Sequence, residues 1–299
     1  MGTIEKGKKK MKKLLTTFSI LCIVGPTLAQ AQVSRVFVGV NGNDGNDCLS
    51  PALACRTLNA GVGKVDAQGE VIVFESGSYA GATITKAVKI NVPSGVVAFS
   101  ALTIDANPTG SAVVVIRGIT LKALAPGSGN GLTVTSGNLF LENSVIDGWA
   151  VGMSVVSPGS KVFLKNSTLR NNTTGLSVAT SSQVVIEGAQ FENNGTGLSA
   201  SSTAKVAMTR SVMSGNTVAG VVSSGSGTEV TAQFCQVAHN GIGMQTALSG
   251  VARLSDSTVT GNVTGIDATA GTFETFTTNV IRGNSGNNTL GTLVSVGLQ

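Results

Sequence analysis

Residues 171–178 read NNTTGLSV, and residues 193–200, twenty-two positions later, read NNGTGLSA. Aligning every segment in which a polar turn precedes a glycine and a small apolar residue extends this likeness along the chain. The glycines recur at steps of 21 to 23 residues, with Asn287 in the next position: Gly131, Gly152, Gly175, Gly197, Gly220, Gly243 and Gly265. Such a fixed period predicts a solenoid, in which successive coils stack on one another.

Each period begins with alternating apolar residues, as in VFLKNSTLRNN from residue 162 and VVIEGAQFENN from residue 184. Alternation with a period of two is typical of a β-strand with one buried face. A second apolar position, a polar turn and a third short strand follow. The pattern predicts an all-β fold, a parallel β-helix of about ten coils. Leucine-rich repeats have a similar period, but their regular leucines are missing here.

An asparagine also recurs once per coil, at steps of 22 to 24 residues: Asn172, Asn194, Asn216, Asn240, Asn262 and Asn284. An inward amide can donate to the coil on one side and accept from the coil on the other. We therefore expect a buried asparagine ladder at one corner of the solenoid.

The chain contains 39 glycines, and only 12% of its residues are charged, a composition that favours strands and turns. Residues 1–31 carry the whole net charge of +5, so the remainder is neutral and has no basic stripe for nucleic acid. Six lysines, an apolar run at residues 14–24 and AQA at residues 29–31 predict a secretory signal peptide, with its start at Met1 or Met11. We expect a secreted or periplasmic protein with no membrane span after cleavage, because a run of eleven residues is too short to cross a bilayer.

Because an exported protein reaches an oxidising compartment, we expect a disulfide between Cys48 and Cys55. Cys235 then remains an unpaired thiol. Residues 32–68 are expected to form an N-terminal cap with a strand, the disulfide loop and a short helix within residues 56–65. The β-helix then covers residues 69–299, and TLVSVGLQ at residues 292–299 is expected to close the other end.

The segment VFVGVNGNDGNDCLSPALACRTLNAGV, residues 36–62, resembles the entry segment of secreted pectate-lyase-like right-handed β-helix proteins. The residues that match are Gly42, Asn43, Asp44, Thr57, Leu58 and Ala60, followed by SGSY at residues 76–79. The resemblance implies a right-handed solenoid with an N-terminal capping helix. It does not choose an activity, because this fold hosts lyases, hydrolases, epimerases, adhesins and phage tailspikes.

Charged residues recur at equivalent positions in successive coils, which predicts columns of alternating sign on outer faces. The two columns contain Glu142, Lys165 and Glu187, and Asp147, Arg170 and Glu192. Hydrolases of this fold need clustered carboxylates, whereas the carboxylates here are dispersed. The candidate surface residues, for a glycan contact or for a lyase site, are Lys165, Arg170, Glu187, Glu192 and Trp149. Trp149 is expected in a turn, either as an exposed contact or as a cover over the coil edge.

No cofactor is expected, although the loop NGNDGND at residues 41–47 could bind calcium through Asp44 and Asp47. It lacks a downstream glutamate at the required spacing, which favours an ordinary Asx-rich turn. The only histidine, His239, is expected in a solvated turn.

Two functions remain open from the sequence. The first is an exported, non-catalytic scaffold whose surface binds a polysaccharide or a cell-surface protein. The second is a polysaccharide lyase or an epimerase-like enzyme. Few aromatic residues, dispersed carboxylates and short turns favour the first.

Overall fold

The computed structural model describes residues 32–106 and 112–297, so the predicted signal peptide at residues 1–31 lies outside the described residues. Short strands follow one another around a three-sided coil, and each pairs in parallel with the equivalent strand of the next coil. Paired residues such as Val184 and Val206 are 22 positions apart. The predicted all-β parallel β-helix is therefore confirmed.

The first sheet contains the strand that opens each coil. Its strands are Arg35–Val38, Glu70–Val73, Lys89–Asn91, Val113–Arg117, Asn138–Glu142, Lys161–Lys165, Gln183–Glu187, Lys205–Thr209, Glu229–Gln233 and Val251–Ser255.

The second sheet has ten strands within the described residues. They are Gly77–Ser78, Val97–Phe99, Thr120–Lys122, Val145–Asp147, Thr168–Arg170, Gln190–Glu192, Val212–Ser214, Gln236–Ala238, Thr258–Thr260 and Val280–Ile281.

The third sheet completes each coil. Its strands are Ala82–Ile84, Leu102–Asp105, Ser128–Ser136, Trp149–Val155, Thr174–Val178, Thr196–Ala200, Ala219–Ser224 and Ile242–Ala247. The last two strands, Thr264–Phe276 and Asn287–Val296, turn the corner and join the third sheet to the first.

The core runs along the axis of the solenoid. Val184 and Ile186 of the first sheet, Phe191 of the second and Leu198 of the third are buried in one coil. Their neighbours along each strand face outward, because successive side chains of a strand alternate between its two faces. The period-two pattern in the sequence therefore marks the wall of this core.

The predicted asparagine ladder is confirmed at the corner between the second and third sheets. Asn216 is typical: its Oδ1 accepts from the backbone N and from Nδ2 of Asn194, both at 3.0 Å. Its Nδ2 donates to Phe191 O at 3.0 Å and to Asn240 Oδ1 at 2.8 Å. The same side-chain link joins Asn172, Asn194, Asn216, Asn240, Asn262 and Asn284. The ladder thus satisfies amides that would otherwise be costly to bury.

The recurring glycines lie beside this ladder, where the coils approach most closely. A Cβ atom added at Gly197 would lie 2.5 Å from Gly220 O and 3.2 Å from Asn216 Nδ2. At Gly220 the added atom would lie 2.7 Å from Gly243 O. Because no side chain fits there, the glycine period and the asparagine period have one cause, the tight stacking of this corner.

The N-terminal end is closed by a helix and a loop, as predicted. The helix Leu58–Lys64 begins at Thr57, whose Oγ1 accepts from Ala60 N at 3.2 Å. Its residues Leu58, Gly61 and Val62 are buried. The predicted disulfide between Cys48 and Cys55 is present.

This disulfide loop also covers the edge of the first strand, Arg35–Val38. Phe37 N donates to Cys48 O at 2.8 Å, and Cys55 N donates to Phe37 O at 2.9 Å. The backbone groups at this end of the solenoid are therefore partly satisfied by the loop itself. Cys235, predicted to be unpaired, is free and buried, and burial raises the pKa of its thiol.

The C-terminal end differs from the expectation that residues 292–299 close it. The last strand, Asn287–Val296, continues the sheets by pairing with Thr264–Phe276, and among the described residues nothing pairs with its other edge. The prediction is therefore wrong for the described part, since a strand that adds to the stack exposes a new edge instead of covering one. Leu298 and Gln299 lie outside the described residues.

Candidate functional site

The outer face of the first sheet carries an apolar strip parallel to the solenoid axis. Its members occupy the middle outward position of five successive coils and pair with one another in register. They are Val115, Phe140, Phe163, Val185 and Ala207. At the β-sheet spacing of about 4.8 Å per coil, the apolar strip is roughly 19 Å long.

The strip centres on two phenylalanines. Phe140 and Phe163 lie directly opposite each other on neighbouring strands, with ring centroids 5.5 Å apart and planes tilted by 41°. Phe140 is 39% exposed, and Phe163 is partly buried. Both side chains point outward because the residues on either side of them, such as Val162 and Leu164, fill the core. The pair therefore forms an accessible aromatic platform.

Charged and amide side chains border the apolar strip on both sides. One flanking column contains Lys161, Gln183, Lys205 and Glu229. The other contains Arg117, Glu142, Lys165 and Glu187. The face thus combines an apolar centre with hydrogen-bonding groups at its margins.

The carboxylates of these columns are held in ion pairs. Glu142 lies 2.6 Å from Arg117. Glu187 lies 3.9 Å from Lys165 and also pairs with Arg210. Such exposed pairs contribute only about 0–1 kcal/mol each to stability. Their effect on the face is to hold these side chains in defined positions.

Glu229 shows the electrostatic consequence most clearly. Hydrogen bonds from Lys205 and Arg253 lower the pKa of its carboxyl group from the ordinary value of 4.5. The carboxylate is therefore ionised at neutral pH, and it acts as a hydrogen-bond acceptor. A general acid of a glycosidase needs the opposite shift, a raised pKa.

Two shallow grooves lie along this same face. The first, of about 240 Å³, is bordered by Val185, Lys205, Ala207 and Glu229. The second, of about 450 Å³, lies nearer the N-terminus against Lys89, Val113 and Val115. The apolar strip therefore runs between two depressions, which makes this face the best candidate for contact with an extended ligand.

The charged residues that the sequence singled out lie on two different sheets. Lys165 and Glu187 lie on the face just described, beside the apolar strip. Arg170 and Glu192 stack on each other in the second sheet, next to Asp147. The register of both predicted charge columns is therefore confirmed, but they lie on different sheets.

Asp147 sits at the centre of the second column. It is buried, and its Oδ2 accepts from Arg170 Nε at 3.3 Å while Oδ1 accepts from Asn171 Nδ2 at 2.9 Å. Both oxygens are thus engaged within the protein. In the second column the ion pair of Asp147 and Arg170 is therefore structural, and Glu192 is next in register along the sheet.

Trp149 occupies the ladder position of the coil before Asn172. Its backbone N donates to Asn172 Oδ1 at 2.9 Å. Its indole Nε1 donates to Leu121 O at 3.2 Å, which reproduces the bond from Asn172 Nδ2 to Ile146 O at 3.2 Å. The side chain is only 9% exposed. The predicted turn is wrong, because Trp149 begins the strand Trp149–Val155. Of the two roles expected for its side chain, the cover over the coil edge matches an indole that ends the ladder.

A third groove, of about 350 Å³, lies beside the second sheet near this tryptophan. Phe99, Lys122, Leu124 and Ser128 border it. It results from the wide turn after Lys122, which replaces the tight ladder corner seen in later coils. Of the candidate residues that the sequence singled out, this groove is lined by Trp149 and by none of the charged ones.

The acidic loop near the N-terminus contains an Asx turn at Asp47, whose Oδ1 accepts from Leu49 N at 3.0 Å. Asp44 Oδ1 instead accepts from the backbone N of Arg56 and of Thr57, both at 2.8 Å, and so holds the loop to the start of the capping helix. Within the described residues, no three His, Cys, Asp or Glu side chains are grouped as metal ligands. His239 is exposed at the ladder corner.

A comparison with protein families assigns the fold. The family described as "right handed beta helix region" matches residues 82–237, about half of the chain. This chain belongs to the right-handed β-helix family. The predicted right-handed sense is thereby confirmed.

Among solved structures, this β-helix is similar to pectate lyase Pel9A, with a TM-score of 0.50 and 14% identity over 83% of this chain and 69% of that one. It is also similar to the Dettilon tailspike protein gp208, with a TM-score of 0.46 and 10% identity over 70% and 49% of the two chains. At these identities the likeness concerns the fold alone. No curated protein sequence matches the chain.

Sequence reasoning missed the two phenylalanines of the site because it followed charges. The signal was nonetheless present, since Phe140 in LFLEN and Phe163 in VFLKN stand between inward apolar residues in consecutive repeats. An aromatic residue in an outward position of two neighbouring coils has no role in the core. It is therefore a better mark of a contact surface than a column of charges that pair with one another.

Proposed function

We propose that the protein is an exported, non-catalytic scaffold that binds an extended glycan along the apolar strip of the first sheet. The observation that carries this proposal is the stacked pair of Phe140 and Phe163, exposed between two columns of polar side chains. Sugar rings present apolar C–H faces and hydroxyl edges. An aromatic platform with charged and amide groups at its margins offers a partner for both.

The shape of the face also supports a long ligand over a small one. Its two grooves, at Lys205 and at Lys89, lie along the strip on the same sheet. Small-molecule sites are concave and enclose most of their ligand. A flat face with shallow depressions instead suits a chain that touches it at several points.

The state of the carboxylates supports binding over acid catalysis. Glu142, Glu187 and Glu229 are each paired with a cation, and the pKa of Glu229 is lowered. Ionised carboxylates accept hydrogen bonds from sugar hydroxyls. A lowered pKa leaves no proton to give to a leaving group at neutral pH.

Export rests on the sequence of residues 1–31 and on the disulfide between Cys48 and Cys55. Disulfides persist in oxidising compartments and are rare in the cytosol. None of the helices among the described residues has the length and apolar character needed to cross a bilayer.

The test is binding to a library of immobilised oligosaccharides, followed by calorimetry with any that bind. The double variant Phe140→Ala, Phe163→Ala should lose affinity by about tenfold or more, since each aromatic contact is worth about 0.5–1.5 kcal/mol. The matched control is Phe234→Ala, which removes a phenyl ring that is 54% exposed on another coil, outside the strip. Unchanged binding by the double variant, or equal loss in the control, would overturn the proposal.

A second arm addresses the alternative of a lyase or epimerase-like enzyme. Lys165, whose Nζ lies 3.9 Å from Glu187, is the candidate base of such an enzyme; only its neutral amine, after loss of the ammonium proton, accepts a proton from a bound sugar. Pectate, alginate and glycosaminoglycans are incubated with the protein, with and without calcium. Absorbance of an unsaturated product that disappears with Lys165→Ala would refute the non-catalytic part of the proposal and leave the binding face standing.

A further inference from the structure

The groove beside Trp149 is built by one irregular turn. Lys122 ends a strand of the second sheet, Ser128 begins the next strand, and residues 123–127 connect the two. The groove lies between this turn and the corresponding corners of the two preceding coils, at residues 78–81 and 99–101. Its volume of about 350 Å³ is within the range of about 300–1,000 Å³ that is typical of small-molecule pockets.

The turn that forms one wall of the groove is held in place by its own hydrogen bonds. Gly127 N donates to Gly148 O of the next coil at 2.7 Å. Ser128 Oγ donates to Ala125 O at 2.7 Å. Pro126, between these anchored residues, restricts the backbone further because its ring fixes φ. A ligand therefore loses little affinity to the ordering of this wall.

The groove exposes apolar side chains that the core does not use. Leu124 is 71% exposed on the turn. Phe99, one coil earlier in the second sheet, is only partly buried. The indole of Trp149 also lines the groove. Two aromatic rings and a leucine together offer a planar apolar ligand a surface against which its rings can pack.

One uncompensated positive charge lies at this groove. Lys122 is exposed among the lining residues, and its ammonium group makes no ion pair or hydrogen bond with any described residue. The carboxylate next in register is Asp147, which is instead bonded to Arg170 and Asn171. None of the described acidic residues lines the groove. An anionic group on a ligand therefore meets a cation here without competition from a carboxylate in the groove.

We propose that this groove binds a small aromatic carboxylate, whose ring lies against Phe99 and Leu124 and whose anionic group pairs with Lys122. The apolar lining favours an aromatic body over a sugar, because sugar hydroxyl groups would lose water there without gaining partners. The unpaired cation selects an anion over a neutral molecule. The groove spans four coils, about 14 Å, which suits one or two fused rings. It lies apart from the apolar strip of the first sheet, so this proposal does not depend on glycan binding.

The first test uses the only tryptophan of the chain as a reporter. Anilinonaphthalene sulfonate combines an aromatic body with one anionic group, and it accepts excitation energy from a nearby indole. Excitation of Trp149 in the full chain should therefore produce saturable emission from the bound probe. Phenylnaphthylamine has the same rings and no sulfonate. It should bind about fivefold more weakly, because it lacks the contact with Lys122.

Two variants separate the apolar contact from the charge. Leu124→Ser should weaken the binding of both probes about tenfold, because it removes apolar area from the wall. Lys122→Gln should abolish the preference for the charged probe and leave binding of the neutral probe unchanged. The matched controls are Leu248→Ser, at a side chain that is 75% exposed in another coil, and Lys161→Gln, at an exposed lysine of the first sheet. All four side chains are exposed, so the circular dichroism spectrum should not change.

Competition then identifies the class of ligand. Naphthoate should displace the probe from the wild-type chain, and its neutral amide should need a concentration about fivefold higher. The proposal is overturned if the probe receives no energy from Trp149, if naphthoate does not displace it, or if Leu124→Ser binds it as tightly as the wild type does. It is also overturned if Lys122→Gln keeps the preference for the charged probe, or if the control variants weaken binding equally.

Discussion

Replacing Asn216 with alanine tests the ladder where it is most completely buried. The side chain of Asn216 takes part in four hydrogen bonds at 2.8 to 3.0 Å, two as acceptor from Asn194 and two as donor to Phe191 O and Asn240 Oδ1. The backbone bond from Asn216 N to Asn240 Oδ1 remains in the variant. The substitution therefore removes the amide and leaves the chain path in place.

The expected loss in the free energy of unfolding follows from the hydrogen-bond donors that the substitution leaves without an acceptor. Two donors of Asn194, its backbone N–H and one hydrogen of Nδ2, lose their acceptor in a buried corner. A buried group without a partner costs about 1–3 kcal/mol, so the two together cost about 4 kcal/mol. That is a large share of the stability of an ordinary domain, which is about 5–15 kcal/mol.

Asn284→Ala is the matched control at the end of the ladder. Its Oδ1 accepts the same two bonds from Asn262, but the side chain is only partly buried, so water can replace the amide. We expect a loss near 1 kcal/mol. Urea unfolding followed by circular dichroism measures both variants, and hydrogen exchange locates the loss, since stacked repeats can open locally.

The reasoning is refuted if the two variants lose the same free energy. That result would mean that Asn194 finds new partners, or that water enters the corner at residue 216 as easily as at the end. A loss below about 1 kcal/mol for Asn216→Ala would also refute it, because it would fall under the cost of a single unpaired group.

Three further predictions concern single positions. Gly220→Ala should destabilise the fold by about 2 kcal/mol, because the new methyl group would lie 2.7 Å from Gly243 O. Gly63→Ala, in open space on the capping helix, should instead stabilise the fold by about 0.5–1 kcal/mol. The midpoints of urea unfolding compare the two variants. Burial raises the pKa of Tyr79 to about 12 from 10.0. The contribution of Tyr79 to stability is therefore complete below pH 10 and is lost as the pH rises through 12. Absorbance of the single tyrosinate measures this ionisation, and a titration midpoint near pH 10 would contradict the prediction. Trp149, the only tryptophan, should emit as a buried indole that shifts to the red on unfolding, and red emission from the native protein would show that it does not end the ladder.

The repeat corner was predictable because stacking imposes one chemistry on every coil. Gly197 and Gly220 recur since a Cβ atom would meet the next coil, and Asn194 and Asn216 recur since each amide needs the next. The place of Trp149 in the ladder was not predicted, because the prediction followed the recurrence of asparagine. An indole N–H can replace an amide N–H in the same hydrogen bond, but the repeat pattern of the sequence does not show this.

The two ends and the face were harder to predict. A strand such as Asn287–Val296 has the same alternation whether or not a neighbour follows, so periodicity cannot distinguish an edge from an interior coil. On the face, the charges of Lys165 and Glu187 stood out in the sequence because charged residues are scarce. Their pairing, and the outward pair of Phe140 and Phe163 beside them, became evident only once the register of the coils was known.

The constant register between coils has an evolutionary consequence. Deleting one residue inside a strand such as Gln183–Glu187 would turn its inner side chains outward and misalign every coil after it. Deleting or duplicating a complete repeat of 22 residues would instead leave each Asn facing an Asn and each Gly facing a Gly. Relatives should therefore differ in length by whole repeats, and the reach of any ligand surface on this scaffold should grow or shrink in increments of about 4.8 Å.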